Sequence, residues 1–305
     1  MIEEKEIKVL SLFDGISCAR VALDLLGYKK VVYFASEIDE YAISISKKNY
    51  PDIFQLGSVV GLGYDSGQFL RDGNTLGVDY MEDIDLLVGG SPCQDLSIAK
   101  RGRDGLAGKR SGLFWEYVRI LKEVKPRYFV LENVASMPAE AKRIITETLG
   151  VESVMIDAAL VSPQNRKRLF WANIPLKQPE DRGIVLKDII DLNAERKFRD
   201  VANPIKTKNG IRWDTSGKGY FSQQDRAYSI TGKFPTIPTA RTNTKINFLF
   251  EDGRIGVMNW DEVEKLQSLP VDYTDLGSGN RVEKRGGVIG NAFNIEVIKH
   301  VLKNL

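Results

Sequence analysis

The residue best suited to covalent chemistry is a cysteine, Cys93, in the segment GGSPCQ at 89–94. The apolar run 84–88 precedes it and predicts a buried strand that ends in a loop. A cysteine between proline and glutamine on a loop is a poor core residue, although a lone cysteine is more often structural. Cations stabilise a thiolate, and three arginines follow: Arg101, Arg103 and Arg110. This pattern favours a partly exposed, nucleophilic thiol.

Two acids stand where predicted strands end. Glu132 closes the apolar run that begins at Tyr128, so it would face the same crevice as Cys93. It could equally be a surface carboxylate or a helix cap. Glu37 closes the run 31–35, a place where a carboxylate typically accepts hydrogen bonds from ribose hydroxyls in Rossmann-like sheets. The alternative is an acid favoured by the positive end of the next helix.

The segment FDGIS at 13–17 marks the first strand–helix junction. Ligands of open α/β sheets bind beyond the carboxyl ends of strands, and glycine permits close backbone approach there. It is not GxGxxG, so a dinucleotide phosphate site is not predicted. An ordinary turn would explain this segment equally well. A further candidate is the basic segment QNRKR at 164–168, for which the alternative is a solvated surface stretch. Together these residues indicate a nucleoside-cofactor α/β enzyme with a nucleophilic cysteine.

Composition narrows the chemistry further. The only histidine is His300, which excludes a Ser-His-Asp triad and a histidine-rich metal site. The two cysteines, Cys18 and Cys93, fit a reducing compartment. No signal peptide and no apolar run of the ~20 residues needed for a membrane span are present, so we expect a cytoplasmic protein without a membrane partner. The formal net charge of +2 neither indicates nor excludes nucleic-acid binding.

Strand and helix patterns alternate in the first half, which predicts a doubly wound, mainly parallel sheet. Helical spacing predicts helices at 17–26, 41–49, 113–124 and 139–149, and later at 262–269 and 291–302. After residue 175 the periodicity weakens, and we expect a smaller, irregular domain. The expected division is 1–175, 176–285, and a C-terminal segment 286–305 that returns to the first domain.

In this order the motifs resemble those of the DNA (cytosine-5)-methyltransferase family, over nearly the whole chain. Among its members, the chain is most similar to the animal de novo methyltransferase catalytic domains and their bacterial and phage relatives. The matching segments are FDGIS (13–17), SEID (36–39), GGSPCQDLS (89–97), GLFWEYVRIL (112–121), LENV (131–134), QNRKRLFWANI (164–174), YSITGKFPTIPTART (228–242) and GNAFN (290–294). The resemblance implies a Rossmann-like, S-adenosylmethionine-dependent sheet with a smaller, irregular target-recognition domain.

The resemblance also implies a mechanism. Cys93 adds to C6 of cytosine, Glu132 holds N3 and the exocyclic amine, and Arg168 contacts O2 with support from Arg166. The base must first leave the duplex, at a cost of a few kcal/mol. C5 then accepts the methyl group of S-adenosylmethionine, which leaves S-adenosylhomocysteine.

Cofactor contacts carry over by motif, with Phe13 and Ile38 on either face of the adenine and Glu37 on the ribose. At the position where the family usually has an aspartate for the adenine amine, this chain has Ser58, a weaker acceptor. The full set comprises Phe13, Asp14, Gly15, Ile16, Ser17, Glu37, Ile38, Ser58, Val59, Pro92, Leu113, Asn291, Ala292 and Phe293. No metal is implied.

Double-stranded DNA is the implied partner of a protein that we expect to be a monomer. The stretch 94–110 carries five Lys or Arg residues and three glycines, typical of a loop that closes over DNA. Arg241 could read a guanine edge or contact a phosphate. The implied DNA contacts are Gln94, Ser97, Arg101, Arg103, Thr239 and Arg241.

Two alternatives stay open at this point. Transfer-RNA cytosine methyltransferases share these motifs but usually read PPCQPF where this chain has SPCQDL. A catalytically inactive DNA-binding paralogue would have lost the nucleophile or the acid, whereas Cys93 and Glu132 are both present.

Overall fold

A computed structural model describes residues 6–79, 83–91, 112–213, 225–238 and 246–305 of the chain. These residues form two compact units. The first is drawn from Met1–Ile156, Lys167–Gln178 and Ile298–Leu305, and the second from Asp157–Arg166 and Pro179–Val297. Within the described ranges, no helix is both long enough and apolar enough to cross a membrane.

The strands are numbered along the chain. They are β1 Glu6–Leu12, β2 Lys30–Ser36, β3 Phe54–Gln55, β4 Leu62–Asp65, β5 Gln68–Arg71, β6 Asn74–Asp79, β7 Leu86–Gly90, β8 Tyr128–Val134, β9 Ser153–Asp157, β10 Gln164–Asn165, β11 Lys167–Ala172, β12 Phe198–Arg199, β13 Ile205–Thr207, β14 Gly210–Arg212, β15 Arg226–Ser229, β16 Phe234–Pro235, β17 Asn247–Leu249 and β18 Ile255–Val257. The helices are α1 Cys18–Leu25, α2 Glu40–Asn49, α3 Leu113–Val124, α4 Ala139–Leu149, α5 Trp260–Leu266, α6 Val282–Asn291 and α7 Ile295–Leu302.

The first unit is built on a seven-stranded sheet of order β3-β2-β1-β7-β8-β11-β9. Along the order β3-β2-β1-β7-β8, neighbouring strands pair in parallel, and β11 pairs antiparallel with β8. The central strands β1 and β7 are almost wholly buried, as expected of short apolar runs covered on both faces. The predicted doubly wound, mainly parallel fold is confirmed.

An antiparallel hairpin sheet, β4-β5-β6, lies between β3 and β7 in the chain and was not predicted. Its two turns, Ser66-Gly67 and Asp72-Gly73, have positive φ at both residues, 49° and 84° in the first and 50° and 81° in the second. Two-residue hairpins favour this geometry because its twist matches that of the flanking strands. Leu62 and Phe69 join the hairpin to the core of the first unit.

The second unit is more regular than the sequence predicts. Six strands form a sheet of order β12-β18-β17-β15-β14-β13. Each has only two to four residues, too few for a clear alternation of apolar and polar positions. The helix expected over 291–302 is also corrected, because α6 ends at Asn291 and α7 begins at Ile295. Between them Ala292 is extended, with ψ 154°.

A buried ion pair anchors α5 in the second unit. Glu264 is fully buried, and its Oε1 accepts from the Thr274 amide at 2.7 Å and from Arg285 Nη2 at 3.1 Å. Arg285 Nε also donates to the Thr274 hydroxyl at 2.8 Å, and its guanidinium lies 5.0 Å from the centre of the Trp260 ring. Loss of the carboxylate would leave a buried cation without its counter-ion.

We therefore expect Glu264→Ala to lower the free energy of unfolding by about 3–5 kcal/mol, the usual cost of breaking a buried pair on one side. Urea denaturation of the purified protein measures it. Glu140→Ala is the matched control, because Glu140 pairs with Arg143 on the exposed face of α4 and should contribute little. Equal effects of the two substitutions would contradict the assignment.

Candidate active site

The order of the large sheet reverses at β1, which pairs with β2 on one side and β7 on the other. In open α/β sheets the crevice at such a switch point, beyond the carboxyl ends of the strands, receives the ligand. The ends of β1, β2 and β7 fall at three segments predicted from the sequence to carry function, namely 13–17, 36–39 and 89–97.

The turn after β1 is built around the Asp14 carboxylate. Asp14 is buried, and its oxygens accept from the Tyr33 hydroxyl at 2.7 Å and the Ser17 hydroxyl at 2.6 Å. Burial raises the pKa of the Asp14 carboxyl, and hydrogen bonds from Ser11, Ser17 and Tyr33 oppose that rise. Asp14 therefore holds the turn from inside, which leaves half-buried Phe13 and Gly15 as its more accessible members. Ile16 is buried as well.

Glu37 is fixed by backbone amides at the end of β2. Its Oε2 accepts from the Gly15 amide at 2.8 Å, which joins the turns after β1 and β2. Its Oε1 accepts from the amides of Ile38 and Asp39 at 2.7 and 2.9 Å. A carboxylate oxygen accepts about two hydrogen bonds, so Oε2, which accepts one here, keeps a lone pair for an incoming hydroxyl. Beside it, Ile38 is 73% exposed, so its apolar surface is accessible.

Ser58 and Val59 lie in the loop that follows β3, the strand next to β2. Ser58 is half-buried and its hydroxyl oxygen accepts from the Val60 amide at 3.1 Å, whereas Val59 is buried. Leu113, another expected cofactor contact, is the half-buried first residue of α3.

Glu132 and Arg168 meet on neighbouring strands. Phe170 of β11 lies opposite Glu132 of β8, so Arg168, two residues earlier, shares the face of Glu132. Arg168 Nε lies 2.8 Å from Glu132 Oε1, and the two side chains are only 15% and 12% exposed. The structure thus brings together two of the four residues predicted to be catalytic.

Asn133 is a positioning residue that we did not identify from the sequence. It is buried, and its side-chain amide donates to the Ser91 hydroxyl at 3.1 Å and to the Ser91 carbonyl at 3.3 Å. Gly90 pairs with Glu132 in the parallel register of β7 and β8, which brings the next residues, Ser91 and Asn133, side by side. Asn133 therefore fixes the start of the segment that leads to Cys93.

Several predicted site residues lie outside the described residues. They are Cys93, Pro92, Gln94, Ser97, Arg101, Arg103, Thr239 and Arg241. Their proposed roles remain predictions from sequence.

Arg166 belongs to the second unit, together with the GNAFN segment. It is buried and donates from Nη1 to the Gly290 carbonyl at 3.1 Å and from Nη2 to the Ala292 carbonyl at 2.8 Å. These bonds hold the turn between α6 and α7. In this turn Asn291 is exposed, Ala292 buried and Phe293 half-buried. Arg166 thus positions the backbone around Asn291, and its support of Arg168 stays a prediction.

Residues 7–181 match the family model for C-5 cytosine-specific DNA methylase. The orphan methyltransferase M.Rho11sI of Bacillus phage rho11s is 35% identical over 219 residues, which cover 68% of this chain and 41% of that protein. The orphan methyltransferase M.SPRI of Bacillus phage SPR is 33% identical over 266 residues, 79% of this chain and 57% of that protein. The chain therefore spans only about half the length of these relatives.

Solved structures agree on the fold. The Entamoeba histolytica methyltransferase EhMeth superposes with a TM-score of 0.69 at 15% identity, and 98% of each chain is covered. Dnmt2 methyltransferase of S. pombe gives a TM-score of 0.62 at 16% identity, with 97% of each chain covered. At these identities the likeness concerns the fold alone. The family model covers more than half of the sequence, and the chain therefore belongs to the C-5 cytosine-specific DNA methylase family.

Proposed function

We propose that this protein is a DNA (cytosine-5)-methyltransferase that acts on a cytosine flipped out of duplex DNA. The observation that carries the proposal is the Glu132–Arg168 pair, a carboxylate and a guanidinium 2.8 Å apart beside the strand that leads to Cys93. A carboxylate can contact N3 and the amine of cytosine, and a guanidinium can donate to O2. Family membership and the names of the phage relatives support DNA as the substrate.

The residues at the switch point fit S-adenosylmethionine. The Glu37 carboxylate, oriented by three backbone amides, is a suitable acceptor for ribose hydroxyls. Ile38 and Phe13 offer apolar surface for an adenine ring, and both are accessible. When bound, this cofactor supplies an electrophilic methyl group at its sulfonium.

In the proposed reaction the Cys93 thiolate adds to C6, which raises the electron density at C5. Glu132 shares a proton with N3 while charge develops on the ring, and Arg168 stabilises the adduct at O2. After C5 is methylated and loses its proton, expulsion of Cys93 restores the aromatic ring. Asn133 contributes by holding Ser91, two residues before the nucleophile.

A methylation assay tests the substrate class directly. The purified chain is incubated with labelled S-adenosylmethionine and either duplex DNA or transfer RNA. We expect incorporation into DNA cytosines. Incorporation into transfer RNA alone would assign the RNA-directed activity, and incorporation into neither would indicate an inactive paralogue.

The nucleophile is tested by Cys93→Ser. We expect this variant to lose methylation and to retain cofactor binding, because an alkoxide is far less available than a thiolate at neutral pH. The wild type should also form a denaturant-resistant adduct with DNA that contains 5-fluorocytosine, since fluorine blocks the elimination step. Gel electrophoresis under denaturing conditions detects the adduct.

Cys18→Ala is the matched control, because Cys18 is the other cysteine and is buried in α1. It should methylate DNA and form the adduct as the wild type does. Normal turnover by Cys93→Ser would rule out the covalent route.

The acid is tested by Glu132→Gln, which keeps the shape of the side chain and removes its charge. We expect turnover to fall by about 10²-fold or more, the usual effect of losing a general acid–base group. Cofactor affinity, measured by calorimetry, should change little. A large loss of cofactor affinity with unchanged turnover would instead assign Glu132 to the cofactor pocket. Glu140→Gln, on the exposed face of α4, serves as the control.

A further inference from the structure

The loop at 56–62, which runs from the end of β3 to the first residue of β4, is held by side chains from three different elements. Its backbone carbonyls accept hydrogen bonds from Ser36 of β2, Arg71 of β5 and Arg119 of α3. The carbonyls are those of Leu56, Gly57, Val59, Val60 and Leu62. A loop with five carbonyls bonded to fixed side chains has little conformational freedom to lose when it binds a ligand.

Arg71 spans the part of the loop that carries Ser58 and Val59. Its Nη1 donates to the Val60 carbonyl at 2.6 Å, and its Nη2 donates to the Leu56 carbonyl. One rigid guanidinium fork therefore fixes the backbone on both sides of Ser58 and Val59. Arg71 reaches this position because it ends β5 of the antiparallel hairpin.

Arg119 also holds this loop, but its charge is paired with carboxylates. Its Nη2 donates to the Leu62 carbonyl at 2.6 Å, and the guanidinium pairs with Glu116 and Glu123, both at 2.7 Å. Among the described residues, no carboxylate forms a salt bridge with Arg71. Its recorded hydrogen bonds go to the loop carbonyls, so its charge is used to order this loop.

The outer side of the loop is accessible and partly apolar. Val60 is 56% exposed, and Ile38, after the neighbouring strand β2, is 73% exposed. Because β2 and β3 are parallel, Ile38 and the loop follow adjacent strand ends at one edge of the sheet. The Ser58 hydroxyl oxygen already accepts from the Val60 amide, which weakens it further as an acceptor for a ligand. The contribution of this loop to binding would then depend on its backbone shape.

We propose that Arg71 is a positioning residue for S-adenosylmethionine, which acts by holding the 56–62 loop as a preformed wall for the adenosyl group. The inference rests on the proposed function, because it presumes that S-adenosylmethionine is the ligand. In this proposal the hairpin β4-β5-β6 has a function, because it places the Arg71 guanidinium next to the loop at 56–62.

Calorimetric titration of the full chain with S-adenosylmethionine and with S-adenosylhomocysteine tests the inference. Arg71→Met should weaken the binding of both by about tenfold or more, the scale of lost hydrogen bonds from a charged donor. Arg71→Lys should bind with intermediate affinity, because an ammonium keeps the charge without the fork. In methylation assays Arg71→Met should raise KM for S-adenosylmethionine and leave kcat at saturation nearly unchanged.

Arg143→Met is the matched control. Among the described residues, Arg143 forms salt bridges with Glu140 and Glu147, on the exposed face of α4. This variant should bind both ligands like the wild type. Circular dichroism at the titration temperature establishes that each variant is folded, and Arg71→Lys carries the test if Arg71→Met does not fold. Wild-type affinity in the folded Arg71 variants, or a lower kcat with unchanged KM, overturns the role of Arg71 alone. A wild type that binds neither ligand overturns the proposed function as well.

Discussion

The parallel register of β7 with its neighbours is the constraint on which the site depends. It sets Gly89 beside Leu12 and Leu131, and Gly90 beside Glu132, so that the segments after β1, β7 and β8 start at one edge. A side chain at position 89 would be crowded, because a Cβ there would lie 3.0 Å from the Leu12 carbonyl and 3.1 Å from the Tyr117 ring. Glycine at this position lets α3 pack closely on the sheet.

Polar contacts then fix each of these segments from within the first unit. Asp14 holds the turn after β1, Glu37 joins that turn to the end of β2, and Asn133 joins the end of β8 to Ser91. Each contact satisfies buried or half-buried backbone or hydroxyl groups. Of these three residues, Asn133 acts only through Ser91, whereas Asp14 and Glu37 are also expected to contact the cofactor.

The sequence predicted the parts of the fold that repeat a pattern over many residues. The bounds of α3 and α4 agree with the helical spacing at 113–124 and 139–149, and the buried strands agree with the apolar runs. The six-stranded sheet escaped prediction because its strands are too short to show alternation. The hairpin β4-β5-β6 did carry a local signal, since Asp72-Gly73 is a typical two-residue turn, and we overlooked it.

At the site, motifs predicted which residues stand at strand ends, but their supporting contacts depend on register and on distant segments. Asn133 lies 42 residues from Ser91, and Arg71 lies 15 residues from Leu56. No local propensity encodes which carbonyl a guanidinium will meet. These contacts become readable only when strand order and side-chain direction are known.

The bonds from Arg166 to Gly290 and Ala292 have a consequence for synthesis of the chain. The residues they join are 124 and 126 positions apart, and Asn294 likewise bonds to Ser162 from 132 positions away. A ribosome that has made the segment 157–166 must therefore add well over a hundred residues before this segment can find its partners. Until then the two hydrogen bonds from Arg166 to this turn cannot form. Contacts so distant in sequence also slow folding, because a long loop must be ordered before they form. The second unit can therefore complete these contacts only after the GNAFN segment has been synthesised.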